Sequence, residues 1–184
     1  GIDNAIAVSC GNRHTAVVLR DGKVMTFGGD NNGRLGRDTS VNDSNKKPGD
    51  VSGIDNAIAV SCGGAHTAVL LSNGKVMTFG GNLVGQLGRD IGEKNYDEKP
   101  GDVSGIDNAV AVSCGGAYTA VLLSDGKVMT FGTNSEGQLG RNTGVNDSDE
   151  DPGEVSGIDN AVAVSCGQKH TAVVLSDGKV MTFG

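Results

Sequence analysis

The 184-residue sequence has no tryptophan, only two tyrosines and four phenylalanines, and just three prolines. It also lacks a basic excess, because 15 Lys and Arg residues stand against 22 Asp and Glu and give a formal net charge of −7. Nucleic-acid backbones and anionic membrane surfaces select basic patches, so this charge disfavours both as partners. No apolar run approaches the roughly 20 residues of a membrane-spanning helix, and no signal peptide is visible.

Glycine is abundant, with 31 residues, because the sequence repeats itself. The segment that begins at Gly1 recurs from Gly53, Gly105 and Gly157, always 52 residues apart. A fixed period of this length predicts a repeat architecture in which each copy is one supersecondary unit. Because the chain starts with Gly at a repeat boundary, we expect a fragment, a processed chain or a trimmed one. The copies divide a single predicted domain, 1–184, into 1–52, 53–104, 105–156 and a partial copy, 157–184.

Each complete copy predicts four strands, called A to D. Strand A alternates larger with small side chains, strand B is rich in β-branched residues, and strand D is a short edge strand that follows a proline. Four antiparallel strands per copy, stacked radially, form a β-propeller blade. The predicted fold is therefore an all-β propeller, with three four-stranded blades and one three-stranded blade. In the first copy the predicted strands are Ala5–Cys10, His14–Leu19, Lys23–Phe27 and Gly49–Ser52.

The connections between these strands differ in character. Asp21-Gly22 joins strands B and C and predicts a tight two-residue hairpin in which both central residues have positive φ. Asn73-Gly74 serves the same place in the second copy. After strand C, a long irregular segment runs to Pro48, and a loop of that length is usually functional or mobile.

Several short motifs recur in every copy, except where the fourth copy stops. They resemble the repeat of the regulator of chromosome condensation family, and this resemblance implies a seven-bladed propeller. Phe27 and its counterparts stand where the family usually has Trp. In the first copy the motifs are Val8 to Gly11, His14-Thr15, Asp21 to Val24, Phe27-Gly28 and Gly33 to Gly36.

Members of that family include a nucleotide-exchange factor for a small GTPase, a plant UV-B photoreceptor and a secreted bacterial inhibitor of β-lactamase. The resemblance implies that the chain acts through one face of the propeller. A photoreceptor role needs clustered Trp, which this sequence lacks. An exchange-factor role is disfavoured because no inserted wedge breaks the repeat period and the chain is acidic.

The histidines do not predict catalysis. His14, His66 and His170 share one position in the repeat, but Tyr118 occupies it in the third copy. A metal ligand or a catalytic base would not survive that exchange, whereas a hydrogen-bond donor at the start of a strand would. Ser9, His14 and Asp21 recur in most copies and form no unique constellation, so a catalytic triad is disfavoured. The sequence therefore predicts a protein that is not an enzyme.

No cofactor or metal is predicted either. The acidic loops 38–43, 93–98 and 146–151 do not fit a calcium-binding spacing. Gly28, Gly33 and Gly36 form no phosphate loop, because no helix follows them. The cysteines lack a C-x-x-C zinc pattern, and equivalent positions on stacked sheets lie too far apart for disulfides. Small buried residues with free thiols are predicted, which favours a reducing compartment such as the cytoplasm. The cysteines are Cys10, Cys62, Cys114 and Cys166.

Differences between the copies concentrate in the A–B loop and the C–D loop. In an antiparallel blade these loops emerge on the same face, while the B–C and D–A connections emerge on the other. Loop drift would explain variation in general, but the opposite face also consists of turns and varies much less. We therefore predict a diversified partner-binding face. Its candidate residues are Asn12, Arg13, Asp30, Asn31, Asn32, Ala65, Leu83, Val84, Tyr96, Ser135, Glu136, Gln168 and Lys169.

The predicted function is a non-enzymatic protein-interaction module that binds a protein partner through this face. Two alternatives remain: a structural or self-assembling scaffold without a dedicated ligand, and a fragment of a larger exchange-factor-like propeller. A lone arc would leave apolar faces in water at its two ends. We therefore expect a homodimer that completes a ring, of seven blades or of eight with two incomplete ones, or else a longer parent chain.

Overall fold

The computed structural model describes residues 1–40, 44–144 and 147–184. Asp43 and Asn146, which bound two of the acidic loops, lie outside these residues. The described chain is all-β apart from two short 3₁₀ helices, Asn31–Gly33 and Ser44–Lys46. The first eight strands are β1 Ala5–Cys10, β2 His14–Leu19, β3 Val24–Gly28, β4 Gly49–Asp50, β5 Ala57–Cys62, β6 His66–Leu71, β7 Val76–Gly81 and β8 Tyr96–Asp102. The others are β9 Ala109–Cys114, β10 Tyr118–Leu123, β11 Val128–Thr133, β12 Ser148–Glu154, β13 Ala161–Cys166, β14 Thr171–Leu175 and β15 Val180–Phe183.

These strands form four antiparallel sheets, which we call blades 1 to 4. Their strand orders are β1-β2-β3-β4, β5-β6-β7-β8, β9-β10-β11-β12 and β13-β14-β15. The propeller architecture, with three four-stranded blades and one three-stranded blade, is therefore confirmed. The inner strands β1, β5, β9 and β13 stand side by side, and their ends converge around one shallow opening lined by 10–12, 62–64, 114–116 and 166–168.

The hydrophobic core lies between the blades. We call the side of a blade that faces the next blade its forward face and the opposite side its back face. Val18 and Val24 of blade 1 share one apolar cluster with Val69, Leu71 and Phe79 of blade 2. The same arrangement recurs between blades 2 and 3 and between blades 3 and 4. Radial stacking covers both faces of an interior blade, which explains why both sets of alternating strand residues are apolar.

The B–C turn differs from its prediction. Gly22 has a φ of 80°, but Asp21 is not among the residues with positive φ. The amide of Gly22 donates to the Leu19 carbonyl at 2.9 Å, and the amide of Leu19 donates to the Lys23 carbonyl at 2.9 Å. This is a three-residue loop, Arg20–Gly22, in which glycine alone takes the left-handed conformation. The prediction of a two-residue turn with positive φ at both central residues was therefore wrong.

The outer strand is longer than predicted in two blades. β8 and β12 each have seven residues, whereas β4 has two. Arg89 pairs with Asp97 of β8 at 3.1 Å, and Arg141 pairs with Asp149 of β12 at 2.8 Å. The first copy has Asn45 at that place. The extra length therefore coincides with an ion pair that ties the outer strand to the C–D loop.

The cysteines are free, as predicted, but they are not equally buried. Cys62 and Cys114 are buried and Cys166 is partly buried, whereas Cys10 is exposed. Burial raises the pKa of the Cys62 thiol to about 11. The prediction of a buried residue was wrong for Cys10, because within this chain no blade covers the back face of blade 1. Within the described residues, no helix is long and apolar enough to cross a membrane.

Candidate functional site

The A–B and C–D loops of each blade meet at one face, which we call the variable face. The amide of Gly29 donates to the Arg13 carbonyl at 2.6 Å, and the amide of Gly81 donates to the Ala65 carbonyl at 2.8 Å. On the opposite face, the B–C turn lies beside the D–A connection, where the Gly22 carbonyl accepts from the next strand A. The placement of the loops on two faces therefore follows the predicted topology.

Most of the candidate partner-binding residues are open to solvent on this face. Leu83 is 74% exposed and Tyr96 is 48% exposed, so two large apolar side chains of blade 2 project from it. Tyr is one of the residue types that most often contribute binding energy at protein interfaces, whereas Leu does so less often. The exposed candidates are Asn12, Arg13, Asn31, Asn32, Leu83, Tyr96, Ser135, Glu136, Gln168 and Lys169, and the partly buried ones are Asp30, Ala65 and Val84.

Asp30 has a structural role that its sequence context did not reveal. One of its carboxylate oxygens accepts from the Leu35 amide at 3.0 Å, and the other accepts from the Thr39 hydroxyl. Asn82 makes the same contact with the Leu87 amide at 2.9 Å. The exchange between Asp and Asn at this position therefore conserves loop geometry. The next two positions of the loop differ in chemical character between the copies.

Charge on the variable face differs from blade to blade. A cleft of about 580 Å³ lies between the C–D loop of blade 2, with Leu83 and Val84, and the acidic stretch 147–151 of blade 3. A second cleft, of about 560 Å³, is lined by 94–99 of blade 2, which contains two lysines and two acidic residues. Between blades 3 and 4, Lys169 bridges to Glu136 at 2.8 Å. Both side chains of that ion pair are largely exposed, so it adds little stability and leaves both groups accessible to a partner.

A buried polar network supports this face from below. Nε2 of His14 lies 2.8 Å from Oγ1 of Thr67 in the next blade. The Thr67 hydroxyl has one proton and donates it to the Arg34 carbonyl at 2.9 Å, so His14 carries its proton on Nε2. His66 repeats this contact with Thr119 at 2.9 Å. His14 and His66 therefore join neighbouring blades, and the prediction of a hydrogen-bond donor is confirmed for these two histidines.

The third copy makes the same inter-blade link with a different side chain. The Tyr118 hydroxyl donates to the His170 carbonyl of blade 4 and lies 3.1 Å from Oγ1 of Thr171. The threonine partners were not predicted, although the recurring His-Thr pair in the sequence carries the signal for them. Across the residues that the structure describes, no group of three or more His, Cys, Asp or Glu could hold a metal ion.

Burial sets the protonation of two of these histidines. It lowers the pKa of His14 to about 4, with a smaller contribution from the charge of Arg34. It lowers the pKa of His66 to about 3, with a smaller contribution from His14. In both rings, Nδ1 is buried and has no hydrogen-bond partner. A second ring proton would therefore be unsatisfied, and both imidazoles are neutral at physiological pH.

Comparison with known families decides the identity of the repeat. The profile described as "Regulator of chromosome condensation (RCC1) repeat" matches residues 21–70, 73–122 and 125–174. A second profile with the same description matches 5–34, 57–86 and 109–138.

This chain belongs to the RCC1 repeat family.

The curated relatives that this chain matches are much longer than the chain. The human "Probable E3 ubiquitin-protein ligase HERC3" is 36% identical over 186 residues, which cover 97% of this chain and 17% of that protein. The Xenopus laevis "Regulator of chromosome condensation" is 42% identical over 113 residues, which cover 60% of this chain and 26% of that protein. The similarity thus concerns a repeat region within larger proteins.

Solved structures of the RCC1 type show the same fold. Yeast RCC1 (Prp20), solved bound to Kap60, matches with a TM-score of 0.86 at 19% identity, covering 97% of this chain and 43% of that one. Human WBSCR16 matches with a TM-score of 0.87 at 26% identity, covering all of this chain and 50% of that one. The four blades therefore match about half of the chain length in each of these structures.

Proposed function

We propose that this RCC1-repeat chain is a non-enzymatic protein-interaction module that binds a protein partner through the variable face. The proposal rests on a difference between the copies, because the position of Leu83 is occupied by polar residues in the other two complete copies. Asn31 and Ser135 stand there in the first and third copies, while the backbone of the loop is held by the same Asp or Asn contact. The scaffold is thus constant, and the side chains that it displays differ.

The backbone conformation of the turns on the opposite face supports this proposal. Its turns need glycine in the left-handed conformation, as at Gly22, Gly74 and Gly126, which limits the residues that they tolerate. They also lie against the next D–A connection, since the Gly74 carbonyl accepts from the Ala109 amide at 2.8 Å. A change there would disturb two blades at once. The variable face has more freedom to adapt to a partner, and RCC1-like propellers are typically interaction or exchange-factor modules.

The proposal includes a second copy of the chain, which would complete a propeller ring. The chain covers 50% of the human WBSCR16 structure, and a second copy would supply further blades of a ring. Ring closure would also cover apolar side chains that are now in water, including Val8 and Val180, which are 66% and 61% exposed. The free thiols support a reducing compartment for this assembly.

A loop exchange tests the binding face. Leu83→Asn with Val84→Asn gives the loop of blade 2 the residues of the first copy, so folding should be unaffected. Proteins captured from an extract of the source cells by the wild-type chain should be lost with this variant, at an unchanged melting temperature. Asn73→Asp is the matched control, because it places the residue of the other copies in the B–C turn on the opposite face. An unchanged capture profile for the loop variant would contradict the proposal and favour a scaffold without a dedicated ligand.

A further inference from the structure

The cleft between blades 2 and 3 on the variable face has two walls of different chemistry. One wall is the C–D loop of blade 2, where Leu83 is 74% exposed and Val84 is partly buried. The other wall is the segment 147–151 of blade 3, and the cleft has a volume of about 580 Å³. Both blades are complete four-stranded sheets with a further blade beyond each of them, so no part of this cleft comes from either end of the chain.

Backbone contacts hold both walls in place. The amide of Asn82 donates to the Asn95 carbonyl at 2.7 Å, and the amide of Asn134 donates to the Asp147 carbonyl at 2.7 Å. At the bottom of the cleft the walls meet, because a Cβ added to Gly85 would lie only 2.4 Å from Cα of Glu150. The cleft is therefore formed before any partner arrives, which lowers the entropic cost of binding.

Three carboxylates of the blade 3 wall are available to a partner. Asp149 is already engaged, because it pairs with Arg141 at 2.8 Å and accepts from the Asp151 amide at 3.1 Å. The side chains of Asp147, Glu150 and Asp151 are exposed. Within the described residues, none of these three forms an ion pair. The wall therefore offers negative charge that the chain itself does not neutralise.

The copies differ systematically in the charge of this segment. The first copy has Lys46-Lys47, the second has Glu98-Lys99 and the third has Glu150-Asp151 at the same place. The third copy as a whole contains eight acidic and two basic residues, whereas the first contains six acidic and seven basic ones. Where blade 2 has Leu83 and Val84, blade 1 has Asn31 and Asn32. An apolar wall and an acidic wall therefore come together only between blades 2 and 3 of the three complete copies.

These two walls select the chemistry of the occupant. Like charge disfavours nucleic acids and anionic membrane surfaces. Across the part of the chain that the structure describes, no group of three or more His, Cys, Asp or Glu could hold a metal ion, so the carboxylates are spread along the wall rather than gathered at one point. Spread carboxylates suit several cationic side chains, and Leu83 suits an apolar one. An extended protein segment carries both kinds of side chain in one ligand.

We infer, on the premise of the proposed function, that this cleft binds an extended segment of the protein partner in which Lys or Arg side chains flank an apolar residue. The basic side chains lie against Asp147, Glu150 and Asp151, and the apolar residue packs on Leu83. Complementary charge speeds the encounter and sets specificity, while the apolar contact removes nonpolar surface from water.

A charge exchange that the repeat itself supplies tests this contact. Asp147→Asn with Asp151→Lys gives blade 3 the residues that blade 2 has as Asn95 and Lys99, so the variant should fold normally. Fluorescence anisotropy measures the binding of the fluorescein-labelled peptide KRKLKRK. The dissociation constant should rise by about fivefold or more, since attraction at two exposed sites is lost and one site becomes repulsive. No binding to the unsubstituted chain at millimolar peptide, or an unchanged constant in the variant, would overturn the inference.

A triple variant on the opposite face is the matched control. Asp21→Asn with Asp125→Asn and Asp177→Asn raises the net charge by as much as the cleft variant does, and each B–C turn then has the residue of Asn73. Oδ1 of Asn73 accepts from the Lys75 amide at 3.1 Å, so Asn supports this turn. The control should bind KRKLKRK as the unsubstituted chain does. An equal loss in both variants would indicate general attraction to an acidic protein and would overturn the cleft as the site.

The apolar wall is tested with a second peptide. KRKGKRK should bind the unsubstituted chain more weakly than KRKLKRK, and Leu83→Asn with Val84→Asn should abolish that difference. Equal binding of the two peptides to the unsubstituted chain would overturn the apolar contact.

The two proposals fail separately. Loss of captured extract proteins with Leu83→Asn and Val84→Asn, but no binding of KRKLKRK to the unsubstituted chain, would keep the partner-binding proposal and overturn the basic segment. Peptide binding that is lost only in the cleft variant, together with an unchanged capture profile for the loop variant, would support the cleft and contradict the partner-binding proposal.

Discussion

Blades 1 and 2 have the same strand C sequence, VMTFG, but place it in different surroundings. Phe79 of blade 2 is fully buried, whereas Phe27 of blade 1 is only partly buried. Cys62 and Cys10 differ in the same direction. Local sequence therefore decides that these segments become strands, but a neighbouring blade decides which of their side chains become core. This follows from a repeat architecture, in which each unit buries its faces only against its neighbours.

The largest expected effect that tests this comparison comes from the phenylalanines. Phe79→Ala should lower the free energy of unfolding by about 3–5 kcal/mol, because it leaves a cavity between two blades. Phe27→Ala should lower it by much less, since part of its ring is already in water. Urea unfolding of both variants, each compared with the unsubstituted chain, measures the difference. Equal losses would mean that both blades have equally buried back faces and would break the comparison.

The next effect is the dependence of stability on pH. It distinguishes the two blade interfaces that contain a buried histidine, His14 or His66, from the interface that contains Tyr118. The folded-state pKa values of His14 and His66, about 4 and about 3, lie below the ordinary value of 6.5. The unfolded chain therefore binds more protons below pH 6.5, and stability falls as the pH falls. Each histidine should contribute a slope of up to about 1.4 kcal/mol per pH unit between its two pKa values.

Exchanging the two side chains sharpens that test. Tyr118→His should make the acid loss steeper, and His66→Tyr should make it shallower, as measured by urea unfolding at pH 7, 6 and 5. His66→Tyr can lower stability at pH 7 for steric reasons, so the slope with pH is the quantity to compare. A slope that does not respond to either exchange would show that the interface histidines do not control acid stability.

The smallest effect concerns the outer strands. Asp97→Asn removes the carboxylate that pairs with Arg89 at 3.1 Å and should lower the free energy of unfolding by about 1–2 kcal/mol, because this pair is partly buried. Asn45→Asp gives blade 1 the residue of the other copies and should add up to about 1 kcal/mol. Hydrogen exchange of the β4 and β8 amides would report both changes locally. Loss of protection in β4 of Asn45→Asp would contradict the assigned role of the carboxylate.

Strands A to C could be predicted from the sequence because their alternation, β-branched residues and glycine punctuation are local properties. The extent of the outer strand could not, since β8 and β12 coincide with ion pairs to Arg89 and Arg141, which precede them by several residues. The exposure of Cys10 could not be predicted either, because its local sequence is identical to that of the buried Cys62.

For the candidate site, topology alone was enough to place the A–B and C–D loops on one face. The sequence alone could not distinguish loop residues whose side chains face solvent from those whose side chains hydrogen-bond to the loop backbone. Asp30 varies between copies as Asn31 does, but its carboxylate accepts from the Leu35 amide. That distinction depends on where a side chain points after the loop has closed. The choice of partner-facing residues therefore remains a prediction.

The recurrence of the same inter-blade contacts also has a consequence for how such a gene can change. An unequal crossover that removed residues 53–104 would bring blade 1 against blade 3, where Val121 and Phe131 stand at the places of Val69 and Phe79. The new junction would already be complementary, because the residues that form the contact between blades are the same in the two copies. The number of blades per polypeptide can therefore drift by recombination, while the angle between blades stays fixed by their contacts.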